Sequence, residues 1–254
     1  MTVQTVSDFK NDALALGVRP GGALLVHASL RALGEMTDGA ETAIAGLLEA
    51  LGPEGTLLLP ALSYESVSAA APFFDVRATP SCVGALPEYF RTRPGTQRSV
   101  HPTHSVCAVG RLAGELLGEH GLSGTPCGPH SPFAKLPQVG GQILFIGCGL
   151  RPNTSMHAVE ERIEPPYLYG EVVEYQICLA DGQPYRMRVR SHNFKGWEQR
   201  YDRVSQLLAE PDLRRGKLLA ADCHLVEAAA LWPAALAALR ADPLYFVDRK
   251  SPTP

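Results

Sequence analysis

The chain has 254 residues, 45% of them hydrophobic and 19% charged, with a formal net charge of −3. That is ample apolar material for a core, and it carries no basic footprint for nucleic acid. No apolar run approaches the ~20 residues that cross a bilayer, and the N-terminus lacks the basic-then-apolar order of a signal peptide.

Ser7 to Leu16 reads as a short amphipathic helix closed by Gly17. Gly22-Ala23-Leu24-Leu25-Val26-His27 reads as a buried strand. It runs into Ala28-Ser29-Leu30-Arg31, where small and polar residues let a backbone approach a ligand. Thr37-Asp38-Gly39 opens a helix over 40–51, Gly52-Pro53 stops it, and 55–60 is the next strand. Strand, helix, strand predicts a parallel α/β sheet. Residues 61–80 lack periodicity and carry Tyr64, Glu65, Phe73, Phe74 and Asp75. A loop of that length, rich in aromatics and acids, is expected to bind substrate.

A helix is expected over 82–92. The run Arg98-Ser99-Val100-His101-Pro102-Thr103-His104-Ser105 then leads into a strand at 106–109. A helix at 111–120 and a turn-rich loop at 124–132 follow. The apolar run 142–147 is a buried strand, Pro152-Asn153 marks a turn, and Thr154 or Ser155 caps a new helix. On that helix His157 and Glu160, three apart, share a face. This is a common way to place a base and its orienting group beside a substrate.

Beyond Pro165-Pro166, residues 171–179 and 185–190 alternate around Asp181-Gly182, which predicts a β-hairpin. A helix from about 197 to 208, a strand over 218–226 and an Ala-rich helix over 227–239, with Pro233 as a kink point, complete the chain. The expected architecture is one α/β domain over 1–254. It has a central mixed, mainly parallel sheet flanked by helices, and an antiparallel hairpin subregion at 164–192.

Six cysteines, at 82, 107, 127, 148, 178 and 223, show no C-x-x-C and no metal-type spacing. They fit a reduced, cytoplasmic protein, with Cys107, Cys148 and Cys178 as small buried hydrophobes. Gly147-Cys148-Gly149-Leu150-Arg151-Pro152 lacks the third glycine of a dinucleotide fingerprint, and there is neither a P-loop nor a G-x-S-x-G elbow. His27, His101, His104, His157 and His192 all fall at expected strand ends, turns or helix starts, where α/β sheets collect ligands. A metal-dependent hydrolase with His101, His104, His157 and Glu160 as ligands is one alternative, although Pro102 intervenes between the first two. A non-catalytic binding relative is another.

The stretches LLVHASLRALG (24–34), LGPEGTLLLP (51–60), residues 72–110, GPHSPFAKL (128–136) and ILFIGCGLRPNTSMHAVEER (143–162) resemble the aminoglycoside 3-N-acetyltransferase family. The specific part is R-S-x-H-P-x-x-S followed by N-T-x-x-H-x-x-E, and the likeness runs from about residue 5 to 245. It implies acetyl-CoA as donor, no metal, and a small-molecule amine as partner. The 3-amino group of a 2-deoxystreptamine aminoglycoside is the first acceptor to consider, and another amine the second. Neither nucleic acid nor membrane is implied, and a homodimer is left open.

The resemblance also implies roles. His157 would be the general base, Glu160 would orient it, and His27 would face the reacting centre. Ser29, Leu30 and Arg31 would hold the coenzyme's pyrophosphate or pantetheine, as backbone amides and an Arg fork hold anions. His101, Ser105, Ser131, Phe133 and Thr154 would line the cofactor channel. Tyr64, Glu65, Asp75 and His192 would meet the acceptor, because a polycation needs carboxylates.

Overall fold

The computed structural model describes residues 3–250. The chain runs α1 (Val6–Leu16), β1 (Ala23–Ala28), α2 (Ala40–Leu51), β2 (Thr56–Pro60), β3 (Phe73–Asp75) and α3 (Ala85–Thr92). There follow β4 (Gln97–Arg98), β5 (Val106–Gly110), α4 (Ala113–Leu117), α5 (Pro132–Lys135), β6 (Gln142–Ile146) and α6 (Ser155–Glu160). The last part holds β7 (Tyr169–Cys178), β8 (Pro184–His192), β9 (Trp197–Gln199), β10 (Leu213–Leu218), β11 (Ala221–Glu227), α7 (Ala228–Ala241) and β12 (Val247–Arg249). No helix among the described residues is long and apolar enough to cross a membrane.

A seven-stranded sheet has the order β10-β11-β6-β1-β2-β5-β4. Its centre consists of apolar runs buried along their length, as strands covered on both faces must be. Leu25 pairs with Leu58 on one side and Ile143 on the other. Side chains then divide by parity. Leu25, Leu58, Ile143 and Phe145 pack with Met156, Leu231 and Ala235, the side of α6 and α7. Leu24, Val26, Leu57 and Leu144 pack with Phe9, Ile44, Leu47 and Phe90, the side of α1, α2 and α3. Each fully buried Leu, Ile or Phe contributes about 1.5–3 kcal/mol.

The sheet is mixed, as expected, with its parallel part confined to β6, β1 and β2. The outer pairings, β10–β11, β11–β6, β2–β5 and β5–β4, are antiparallel. Because β6, β1 and β2 run the same way, their carboxyl ends share one edge of the sheet, and the candidate site forms there. The expected hairpin is β7 with β8. The loop expected over 61–80 contributes β3, which extends this small sheet by pairing with β7. The helix expected over 111–120 is shorter, at α4 and a separate 3-10 turn over His120–Leu122.

One difference shapes the site. The helix expected over 197–208 is instead β9, paired with β12, and a 3-10 turn over Tyr201–Gln206. Here tertiary pairing overrides local propensity. The Arg200 N–H donates to the Phe246 carbonyl, and its guanidinium pairs with Asp202 and Asp248. The chain is pinned extended up to Arg200, and Tyr201 is delivered inward. The strand β10, with its charged LRRGKL sequence, was not expected. It is an edge strand, and charge is how edges avoid further pairing.

β6 is followed by Gly147, whose φ is +63°, and a Cβ there would stand 2.1 Å from the Ala32 Cβ. The position therefore requires both the left-handed backbone and a missing side chain. Gly147→Ala is expected to destabilise the protein by about 2–4 kcal/mol, combining backbone strain and overpacking. An unchanged denaturant midpoint would contradict this.

Candidate active site

From β6 the chain turns through two glycines with positive φ, Gly147 and Gly149, and enters α6 at Ser155. Thr154 holds the N-cap position, but its hydroxyl makes no cap hydrogen bond and instead lies at the cleft. One turn on, His157 Nδ1 lies 3.2 Å from Glu160 Oε2. Glu160 is fully buried. Its Oε2 also accepts from the Tyr201 hydroxyl at 2.7 Å, and its Oε1 from the Tyr167 hydroxyl at 2.8 Å. Three donors on one carboxylate suit the ionised, acceptor-only form. Both phenols are pushed well above their ordinary range, first by burial and then by the Glu160 charge, so they stay protonated.

This geometry fixes a tautomer. Tyr201 spends its hydrogen on Glu160, so its oxygen, 2.9 Å from His157 Nδ1, can only accept there. Nδ1 is then the protonated nitrogen, shared between Glu160 and Tyr201, and a neutral His157 keeps its lone pair on Nε2. The imidazole is further held by Phe194 at 5.2 Å and His192 at 5.0 Å between ring centroids.

His157 opens onto a cleft of about 910 Å³ at the carboxyl edge of the parallel strands. His27, Tyr64, Thr154 and His192, four of the residues singled out from sequence, line it with His157. His27, the last residue but one of β1, stacks on Phe145, with centroids 5.2 Å apart and planes 8° from parallel. Burial, then the nearby His157, lowers its pKa to about 3. His192 ends β8, and its Nε2 meets Glu161 Oε1 at 2.7 Å. Burial holds His192 well below the ordinary histidine range and pushes the Glu161 carboxyl up to about 7.

The remaining expected residues lie elsewhere. Ser29, Leu30 and Arg31 follow directly on Ala28, which lines the cleft, but they do not line it themselves. Ser29 N–H instead donates to the Ile146 carbonyl at 2.8 Å, and Arg31 is exposed. Glu65 is exposed and off the cleft. Asp75 Oδ1 accepts from the backbone of Arg77 and Ala78, both at 2.7 Å, and so caps the turn after β3. Ser131 caps α5, and Phe133 belongs to the core.

His101 and Ser105 are fully buried, away from the cleft, and they serve the loop that does reach it. His101 Nδ1 accepts from the His104 N–H at 2.9 Å. The Ser105 hydroxyl donates to the Ala61 carbonyl at 2.8 Å and accepts from Arg98 Nε at 2.9 Å. Arg98 also reaches the Ala61 carbonyl, at 2.9 Å. The R-S-x-H-P-x-x-S run therefore fastens residues 99–105 to the segment carrying Tyr64, and it presents His104 to the cleft. The ligand set His101, His104, His157 and Glu160 does not assemble, because one His101 nitrogen and both Glu160 oxygens are engaged elsewhere. Of the three cysteines expected in the core, Cys107 is buried, while Cys148 and Cys178 are half-buried and Cys148 lines the cleft.

Tyr167, Tyr201 and Phe194 were not singled out from sequence. Tyr167 follows Glu160 by seven residues in an irregular stretch, and Phe194 and Tyr201 come from segments remote from α6, so no local pattern marks them.

Burial also makes the protein acid-sensitive. His27 and His120, whose pKa is lowered to about 4, are buried and uncharged. The unfolded chain protonates both below about pH 6.5, so it binds more protons than the native state. Their contribution is intact above that pH and is lost as pH falls toward 3–4. At pH 5 the loss is on the order of 2 kcal/mol for each. Urea unfolding at pH 7.5 and pH 5 is expected to show the drop, with His120→Asn reducing it; equal stability at both would contradict the assignment.

Fold and site together define an α/β enzyme in which a histidine, backed by a buried carboxylate and two phenols, faces a cleft at the ends of parallel strands. A family model for aminoglycoside 3-N-acetyltransferase matches residues 25–240. Aminoglycoside N(3)-acetyltransferase IV of a Salmonella species is 32% identical over 237 residues, 92% of this chain and 87% of that protein. The structure of AAC-IIIb with CoASH is similar with a TM-score of 0.82 at 29% identity, over 100% of both chains. AAC-VIa bound to sisomicin gives 0.80 at 29% identity, over 94% of this chain and 98% of that one. The chain belongs to the aminoglycoside 3-N-acetyltransferase family, and it is an acetyltransferase.

Proposed function

We propose that the protein transfers the acetyl group of acetyl-CoA directly to an aminoglycoside, at the 3-amino group of its 2-deoxystreptamine ring, with His157 as general base. The observation that carries this is the fixed tautomer: Nδ1–H is held by Glu160 and Tyr201, and Nε2 keeps its lone pair at the cleft. Nε2 takes the proton of the amine as its nitrogen bonds the thioester carbonyl carbon. The carbon–sulfur bond then breaks, and the thiolate leaves with the proton returned from His157. Glu160 stabilises the imidazolium that exists between these steps. His27, uncharged and beside the cleft, completes the reacting wall.

The relatives support both substrates, one solved with CoASH and another with sisomicin. Lys250 lines the cleft and supplies positive charge for the coenzyme's phosphates, beside Arg151, which is paired with Glu198. In this proposal residues 1–254 act as one catalytic domain, with the hairpin region at 164–192 bringing His192 to the cleft; its first two and last four residues lie outside those described.

A second acceptor class has an observation of its own. The acids expected to meet a polycation, Glu65 and Asp75, are off the cleft, and Glu198, the acid among its described lining, pairs with Arg151. A less cationic amine fits that lining. NMR of the product formed from acetyl-CoA and a mixture of amines separates the two. An acetyl group on the 3-amino nitrogen of a 2-deoxystreptamine drug is expected, and acetylation of simple amines alone would favour the second class.

A further inference from the structure

Three histidines meet at the cleft from separate parts of the chain: His104 from the loop before β5, His157 from α6, and His192 from the end of β8. One ring nitrogen of each lies within 4.8 Å of the others. We propose that His104, His157 and His192 form a binding site for a divalent late transition metal, zinc first, and that its occupancy excludes the base role of His157. The second half rests on the function proposed above.

The other nitrogen of each ring is already held. His104 Nδ1 meets Thr103 Oγ1 at 2.9 Å, His157 Nδ1 meets Glu160 Oε2 at 3.2 Å, and His192 Nε2 meets Glu161 Oε1 at 2.7 Å. The nitrogens that remain are His104 Nε2, His157 Nε2 and His192 Nδ1. Carboxylates behind two of the three rings reproduce the outer shell that orients metal-bound histidines and makes them more basic. His192 Nδ1 is buried with no hydrogen-bond partner, a donor atom left unsatisfied.

Three imidazoles and an open fourth position make up a donor set that zinc takes, and nitrogen donors select zinc, cobalt, nickel or copper over magnesium or calcium. Zinc–nitrogen bonds of about 2.0–2.1 Å place ligand nitrogens roughly 3.4 Å apart in a tetrahedral site. The rings therefore draw together by about 1 Å on binding. In that state the lone pair of His157 Nε2 is donated to the metal and cannot take a proton from an amine. Zinc is thus expected to act as a reversible inhibitor of acetyl transfer.

Cobalt(II) titration of the coenzyme-free protein tests the site without any turnover. A visible absorption band saturating at one equivalent, without a thiolate charge-transfer band and displaced by zinc, is expected. His104→Ala and His192→Ala should each abolish it, Cys148→Ser should leave it intact, and Glu161→Gln should weaken binding about 10–100-fold. Circular dichroism identifies any variant that fails to fold, and the remaining variants then decide. No band, a thiolate band, or a band indifferent to every histidine variant overturns the proposal. Thiol release from acetyl-CoA with and without one equivalent of zinc separates the two readings. Turnover indifferent to zinc sinks the exclusion and leaves the acetyltransferase standing, whereas a cobalt site in a protein that acetylates no amine keeps the site and removes the base.

Discussion

His157→Ala is expected to lower thiol release from acetyl-CoA by about 10²–10⁴-fold, with little change in acetyl-CoA binding. The amine acceptor must lose a proton as it attacks, and Nε2 is the unprotonated nitrogen turned to the cleft. Its partner Nδ1 is engaged by Glu160 and Tyr201, so the ring cannot change tautomer without breaking buried hydrogen bonds. The imidazole contributes little to the core, since it lies at the cleft surface, so the loss should fall on turnover and leave folding intact. Steady-state kinetics at saturating acetyl-CoA, with isothermal titration for binding, read the two effects separately. A variant within threefold of wild type would mean that another group takes the proton.

The second large effect is at Glu160, and it divides between activity and stability. Glu160→Ala leaves the Tyr167 and Tyr201 hydroxyls without their acceptor and the His157 Nδ1–H with the Tyr201 oxygen alone. At about 1–3 kcal/mol for each unsatisfied buried group, a destabilisation of roughly 3–5 kcal/mol is expected. Glu160→Gln keeps the shape, and with its amide NH2 turned to the Tyr167 hydroxyl its oxygen still accepts from Tyr201 and His157, but the negative charge is gone. The neutral amide no longer stabilises the imidazolium that forms on His157 as it takes the proton. That variant should therefore fold, unfold within about 2 kcal/mol of wild type, and lose turnover by on the order of 10²–10⁴-fold. Wild-type turnover in Glu160→Gln would show that the carboxylate's charge does not matter to the reaction.

The parts of this site visible in sequence are those made within one segment. The apolar run of β6, the turn at Pro152-Asn153 and the i, i+3 spacing of His157 and Glu160 are all local, and periodicity reads them directly. That spacing could not say whether Glu160 faces His157 or the acceptor; the two phenols decide it, and they arrive from residues 167 and 201. Tyr201 was hidden inside an apparent helix whose strand character comes from pairing with β12, some fifty residues along. The expected mainly parallel sheet was read from the opening strand–helix–strand and holds only at the centre, because β5 and β11, though visible as strands, pair antiparallel with β2 and β6, and the charged edges β10 and β4 have no apolar run to mark them. His101 and Ser105 were legible as important residues, yet their work is to fasten a loop to the Ala61 carbonyl and the His104 amide. A motif shows that a position is constrained, and burial and hydrogen bonding show how.

The central claim is that this cleft moves an acetyl group from acetyl-CoA to an amine. Thiol release from acetyl-CoA, measured with a panel of 2-deoxystreptamine aminoglycosides, tests it most directly. The expected result is release that saturates in both substrates, one thiol for each amine acetylated. No release with any amine, together with no saturable acetyl-CoA binding, would contradict it.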